Sequence, residues 1–234
     1  MSENDPMSAW GKKVAEGRAA EVFEAGPGRV ARVARGPADY FREAAVMDRA
    51  RREGVPVPVV YDVDDGVMVM ERIDGPTMAA DLQARPWRLA RHARTLAGLQ
   101  GQINTIAPGA SPLAPGPIPG HHLLHLDLHP ENVMLSPAGP VVIDWANAAV
   151  GDPAADVAMT WIIMGSSELR MPWWGRTIVG ALRQRFIATW LDHSDRQGAR
   201  RALTAVGEAR IGDPNVTPDE VERIRALVRR WATD

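Results

Sequence analysis

The chain's densest run of polar side chains is His125-Leu126-Asp127-Leu128-His129-Pro130-Glu131-Asn132, and twelve residues after the asparagine comes Asp144, at the end of the apolar run VVID. NVML and VVID flank Ser136-Pro137-Ala138-Gly139-Pro140, so the two runs read as the arms of a hairpin. Its pairing would bring Asn132, at the start of one arm, towards Asp144, at the end of the other. An amide oxygen and a carboxylate are hard ligands of the kind magnesium takes, with water and phosphate completing its octahedron. Asp127, five residues before Asn132, is left to accept a proton from a hydroxyl. Phosphoryl transfer to an alcohol needs this division of labour.

The elements that must position these groups are legible around them. Residues 13 to 36 alternate in short runs about a Gly26-Pro27-Gly28 turn, which predicts a hairpin. From Pro37 to Glu53 the period becomes helical, with Tyr40, Ala44, Met47 and Ala50 on one stripe and Gly54 as a stop. VPVPVVYDV and VMVMERI then flank Asp65-Gly66, a pair suited to a type I′ turn. After Ile73-Asp74-Gly75 the chain turns helical, with Leu89, Ala93, Leu96, Leu99 and Ile103 at helical spacing, followed by a Pro/Gly-rich loop over 107–120. The remainder reads as helices, the last opened by Thr217-Pro218-Asp219-Glu220 as a capping box.

Inside the first helical stripe sits Glu43, and a carboxylate on a packed face calls for an internal cation. Arg32, in the strand RVARVAR, is the natural partner.

HLDLHPENVML, VVIDW and GDPAADVA together resemble the catalytic loop and metal-binding motif of the aminoglycoside phosphotransferase and choline kinase family, small-molecule kinases with a protein-kinase-like fold. The resemblance implies an α+β, bilobal fold, with a strand-rich nucleotide-binding lobe over residues 1–73 and a mainly helical lobe over 74–234. It implies ATP and magnesium as cofactors, Asp127 as the catalytic base, and Asn132 and Asp144 as metal ligands. His125 becomes a brace for the loop, Asp156 the residue that holds it, and His129 a group approaching the transferred phosphate. Arg32 with Glu43 takes the part of the phosphate-binding cation and its helix glutamate, with arginine where protein kinases carry lysine. Gly17, in Glu16-Gly17-Arg18-Ala19-Ala20, falls in the nucleotide loop. Met70, Glu71 and Ile73 fall at the hinge, where backbone groups of Glu71 and Ile73 would meet adenine and Met70 would stand behind the pocket.

The acceptor is expected to be a small-molecule hydroxyl: an aminoglycoside-like antibiotic, an amino alcohol or a sugar. Cationic acceptors call for carboxylates, and Asp152, Glu168, Asp192 and Asp195 supply candidates in the second lobe. Trp173 and Trp174 either line a substrate cleft or pack in the core. Two other functions use the same residues. A pseudokinase regulating a partner fits the arginine at 32 and a nucleotide loop with one glycine. A metal-dependent hydrolase would draw on His121, His122, His125, Asp127 and His129, with 125, 127 and 129 on one face of an extended segment.

Composition limits the rest. The chain has 234 residues, 27 basic against 29 acidic for a formal charge of -2, and no cysteine. That balance offers no global attraction to nucleic acid or anionic lipid, and the missing thiols exclude disulfides and zinc-thiolate sites. Neither a signal-peptide pattern nor a membrane span is readable, which suggests a cytoplasmic protein.

Overall fold

The computed structural model describes residues 10–17, 19–107, 109, 113–168 and 173–233, without the side chains of 173–176. The chain divides into two compact units.

The first unit comprises the chain up to Gly75 together with Met134–Ala146. Five antiparallel strands, β1 (Lys13–Glu16), β2 (Ala20–Glu24), β3 (Arg29–Ala34), β4 (Val60–Asp64) and β5 (Val67–Glu71), form one sheet in the order β1-β2-β3-β5-β4. Arg32 pairs with Val22 on one side and Met68 on the other, so the middle strand fixes its height in the sheet. Helix α1 (Tyr40–Arg52) begins at Asp39, whose carboxylate accepts the Arg42 N–H at 2.9 Å, and ends before Gly54 at φ +85°. It buries Tyr40, Glu43, Val46, Met47 and Ala50. The stripe read from sequence is therefore right in direction, with Val46 replacing the half-buried Ala44.

The β4–β5 turn differs from expectation. Gly66 has φ +74° but Asp65 is not among the positive-φ residues, so this is not the mirror-image turn that needs both. The same strand pair carries a register shift between Val60 and Asp62.

The sequence reading put everything after residue 73 in the helical lobe, whereas Met134–Ala146 group with the sheet. Long-range bonds cause this. Val142 N–H donates to Pro56 O at 2.8 Å, and Gly75, at φ +142°, lies so close to Leu135 that an added Cβ would come within 2.1 Å of its carbonyl oxygen.

Helices α2 (Met78–Ala84) and α3 (Leu89–Asn104) open the second unit, joined by a single 3-10 turn at Pro86–Arg88. All five apolar residues read as the α3 stripe are buried. Strands β6 (His122–Leu124) and β9 (Ala149–Gly151) pair antiparallel, and between them in sequence run a 3-10 turn, Pro130–Asn132, and the hairpin β7 (Val133–Ser136) and β8 (Gly139–Val142). Helix α4 (Pro153–Ser166) is capped by Asp152, whose Oδ1 accepts the Ala154 N–H, and it buries every residue from Ala155 to Met164. Such all-round burial marks a central helix. α5 (Trp173–Leu191), α6 (Arg196–Ile211) and α7 (Pro218–Trp231) pack around it. Thr217 caps α7 by accepting the Glu220 N–H, but the Glu220 side chain accepts from Arg210, so only half of the expected box closes. Among the described residues no helix is long and apolar enough to cross a membrane.

α2 is tied to α3 by one buried carboxylate. Asp81, 3 % exposed, accepts from Arg85, Arg88 and His92. The bond to His92, with those to both arginines, holds its carboxyl down to about 2 against the cost of burial.

Gly75→Ala should cost about 2 kcal/mol or more, since both its φ and its contact forbid a side chain. Gly98→Ala, in α3 with open space around it, should gain up to about 1 kcal/mol, and denaturant titrations of both would check the sign. Because Asp81 ionises at lower pH folded than unfolded (3.8), its stabilisation is complete above that value and is lost as pH falls through about 2. Acid melts of wild type and Asp81→Asn should therefore converge at low pH.

Candidate active site

In the sheet unit the focus is Arg32. Its Nη1 donates to Glu43 Oε1 at 2.7 Å and its Nη2 to Asp144 Oδ1 at 2.9 Å, while its Cζ lies 5.4 Å from the Tyr40 ring centre. The Arg32 side chain is 14 % exposed, Glu43 3 % and Asp144 41 %. Burial alone would lower the guanidinium's pKa, but the two carboxylates outweigh it and hold the group charged, above its usual value. Burial pushes the Glu43 carboxyl up, opposed by Arg32 and by the Trp145 N–H, which donates to Glu43 Oε1 at 3.0 Å.

Asp144 itself has φ +63°, in the left-handed region. Three bonds hold the turn that requires it: Arg32 on the Asp144 side chain, Glu43 on the Trp145 N–H, and Arg42 Nη2 on the Ala146 carbonyl at 2.8 Å. Two of these grip from α1 and one from β3. Arg42 was not singled out in the sequence, where it looks like one more exposed helix arginine.

In the helical unit the focus is the turn after β6. Leu126 has φ +58°, rare for a branched, bulky residue, and its N–H donates to Asp156 Oδ1 at 2.7 Å. Asp156 is fully buried, and its Oδ2 accepts from Asn104 Nδ2 at 2.8 Å; the same amide reaches Leu123 O at 3.1 Å. Asp156 thus joins the Leu126 N–H to the Asn104 amide, and Asn104 is a partner that sequence reasoning missed. Fully buried His125 accepts the Asp127 N–H on Nδ1 at 3.3 Å.

Asn132 Nδ2 donates to the Asp127 backbone oxygen at 2.8 Å and to Asp127 Oδ2 at 3.1 Å. Only the amino end of the amide can do this, so its oxygen is turned elsewhere. His129 Nε2 lies 3.7 Å from Asp127 Oδ1 and 3.4 Å from the Asn132 amide, and its Nδ1 caps the 3-10 turn at the Glu131 N–H. Asp127, His129 and Asn132 are thus one cluster. Asn132 Oδ1 in the helical unit and Asp144 Oδ2 in the sheet unit are each hard oxygens outside these bonds, the donor type that magnesium takes.

The hydrolase reading has no such cluster. It needs residues 125–129 extended, but β6 ends at Leu124 and Leu126 turns left-handed. Among the described residues no three histidine, aspartate or glutamate side chains assemble as a metal site.

Other expected residues stand as follows. Gly17 is exposed, and its N–H closes the β1–β2 turn on Ala20 O at 2.8 Å. Met70 and Glu71 are half-buried in β5; Glu71 N–H donates to Val59 O, and its carboxylate accepts the Val59 N–H. Ile73, past the strand end, makes no backbone hydrogen bond through its N–H among the described residues. Asp152 caps α4 and Asp195 caps α6, while Asp192 pairs with Arg196 on the surface. Trp173 and Trp174 open α5, and their side chains lie outside those described.

A five-stranded antiparallel sheet with one helix, followed by a helical unit with a buried aspartate holding the turn after β6, defines a protein-kinase-like α+β fold. The phosphotransferase enzyme family model (APH) matches residues 10–117 and 117–203, and the chain belongs to that family. Solved structures share the fold. A choline/ethanolamine kinase family protein from Mesorhizobium loti superposes with TM-score 0.56 at 15% identity, over 94% of this chain and 86% of that one. The gentamicin complex of the aminoglycoside phosphotransferase APH(2")-IIa gives 0.58 at 12%, over 94% and 90%. A thermostable mutant of aminoglycoside phosphotransferase APH(4)-Ia, with AMP-PNP and hygromycin B, gives 0.55 at 18%, over 95% and 94%. Among curated proteins, a probable serine/threonine-protein kinase BUD32 homolog from Archaeoglobus fulgidus is 37% identical over 65 residues, which span 26% of this chain and a third (33%) of that protein's length.

Glu43→Gln keeps an oxygen for the Trp145 N–H but removes the buried charge facing Arg32, and should cost about 3 kcal/mol. Arg42→Ala removes one hydrogen bond near the surface and should cost about 1 kcal/mol. Equal losses in denaturant titrations would show that charge burial is not what makes Glu43 matter.

Proposed function

We propose that the protein is an ATP-dependent O-phosphotransferase acting on the hydroxyl of a small molecule. The observation that carries this reading is the Asp127 carboxylate, partly exposed at 21 % and held by the Asn132 amide, with His129 Nε2 3.7 Å away. A partly exposed carboxylate oriented by an amide suits a general base.

In this reading Asp127 accepts the acceptor's proton as its oxygen attacks the γ-phosphorus. The new O–P bond forms while the bond to the β-phosphate oxygen breaks, leaving ADP. Arg32, braced by Glu43, neutralises the α- and β-phosphates, and Gly17 lies in the loop over them. Asn132 and Asp144 would hold magnesium, which would offset charge on the phosphates. His129, beside Asp127, approaches the transferred group. The hinge groups of Glu71 and the unbonded Ile73 N–H take adenine, with Met70 behind. The chemistry requires a compartment that supplies ATP, in keeping with a cytoplasmic protein.

One observation favours the pseudokinase alternative: both terminal nitrogens of Arg32 are already on carboxylates, so nucleotide phosphates must compete for them. Turnover decides between the two. ATP with magnesium, at a hundredfold excess over its dissociation constant, should raise stability by about 2.7 kcal/mol. Asp144→Ala should lose that gain. Asp127→Asn should keep it yet lower transfer by about 10²- to 10⁴-fold. Nucleotide binding without transfer to any acceptor would establish the pseudokinase; normal turnover by Asp127→Asn would remove Asp127 as the base.

A further inference from the structure

Between Asp81 and Asp127 the sequence contains no aspartate or glutamate, and the same stretch carries Arg85, Arg88, Arg91 and Arg94. Two of these arginines are mounted rather than free. Arg85 reaches Asp81 Oδ1 through Nη1 at 2.5 Å, and Arg88 reaches both Asp81 oxygens through Nη1 at 3.1 and 3.2 Å. Both side chains remain exposed, at 46 % and 40 %, over a carboxylate that is 2 % exposed. Among the described residues neither makes a hydrogen bond through Nε or Nη2. A guanidinium held by one nitrogen has lost much of its rotamer freedom already, and its remaining donors form a fork that fits carboxylate or phosphate.

Between them stands Trp87, 76 % exposed and the most exposed large apolar side chain described. Pro86 and the 3-10 turn fix its backbone. A bare indole ring costs free energy in water and is recovered by a flat or apolar body laid against it. α2, which carries Asp81, packs against the Pro130–Asn132 turn, so this mount is braced on the element that bears Asn132.

Of the carboxylates that a cationic acceptor was expected to call on, Asp152 and Asp195 are helix caps, and Asp192 is paired with Arg196.

We infer that Arg85, Trp87 and Arg88 form a subsite for the anionic group of the acceptor, a carboxylate or phosphate attached to a flat or apolar body. The word acceptor rests on the phosphotransferase reading; the anion site itself does not. Phenyl phosphate and benzoate, titrated calorimetrically into the wild-type protein, probe the two anion types, with phenethylammonium as the cationic control. The subsite requires binding of at least one anion, no binding of the cation, and at least a tenfold weakening in both Arg88→Gln and Trp87→Ala. Trp87→Ala touches no bond to Asp81, so it reads the site even where Arg88→Gln fails to fold. No anion binding, or binding unchanged in Trp87→Ala, overturns the proposal.

An acceptor screen separates this from the function proposed above. Phosphorylation of anionic acceptors with a tenfold higher acceptor KM in Trp87→Ala, at unchanged ATP KM, supports both. Trp87-dependent anion binding with no transfer to any compound leaves the subsite standing and removes the phosphotransferase. Transfer to cationic acceptors at wild-type KM in both variants removes the subsite alone.

Discussion

Arg32 is the cation on which the sheet unit's polar interior turns. Glu43 could not remain on the buried face of α1 without it, because an isolated carboxylate there would cost several kcal/mol or take up a proton. Asp144 could not keep its left-handed backbone cheaply without a partner that fixes the side chain from outside the turn. One guanidinium answers both demands, since its fork presents two nitrogens at a set spacing. The consequence reaches across the unit: β3, α1 and the segment after β8 are joined through three polar side chains, so that α1 cannot shift without disturbing Asp144.

The helical unit uses the same device with the charges reversed. Asp156, fully buried, spends one oxygen on the Leu126 N–H and the other on the Asn104 amide. Those bonds offset the strain of a leucine at φ +58°, immediately before Asp127 in the chain. Each unit thus carries a non-glycine residue in the left-handed region, and each strained residue is held by a buried side chain of opposite hydrogen-bonding sense. Strain retained beside chemically competent groups is characteristic of functional sites.

What could be read in the sequence follows the range of the interactions. The β2–β3 and β4–β5 hairpins, the burial face of α3 and the Thr217 cap depend on neighbours a few residues away, and their periodicity or turn residues announce them. The Asp127, Asn132 and Asp144 spacing is equally local. The Arg32–Glu43 pair was legible because a charge interrupting an apolar stripe demands an answer nearby. Asn104, Arg42 and the grouping of Met134–Ala146 with the sheet were not, since each depends on contacts between segments far apart in the chain that no period encodes. The Asp65-Gly66 turn failed for a different reason. Its residues permit type I′, but of the pair Gly66 alone takes a positive φ, in a strand pair whose register shifts at Val60/Asp62.

Arginine at position 32 also bears on how the site can respond to a nucleotide. A lysine would be a single point charge, passed from glutamate to phosphate with little change in geometry. The guanidinium instead already holds Glu43 and Asp144 at 2.7 and 2.9 Å, with its Nε facing neither. Phosphates arriving beside it must either use that third nitrogen, leaving the brace intact, or take Nη2 from Asp144 and free the carboxylate. The second course couples two events, because it leaves Asp144 Oδ1 as accessible as Oδ2, which no arginine holds. Under the function proposed above, a cation on Asp144 and a nucleotide beside Arg32 would relieve the same contact, so each would favour the other's binding, and the departure from lysine would be a source of coupling between them rather than a simple loss of reach.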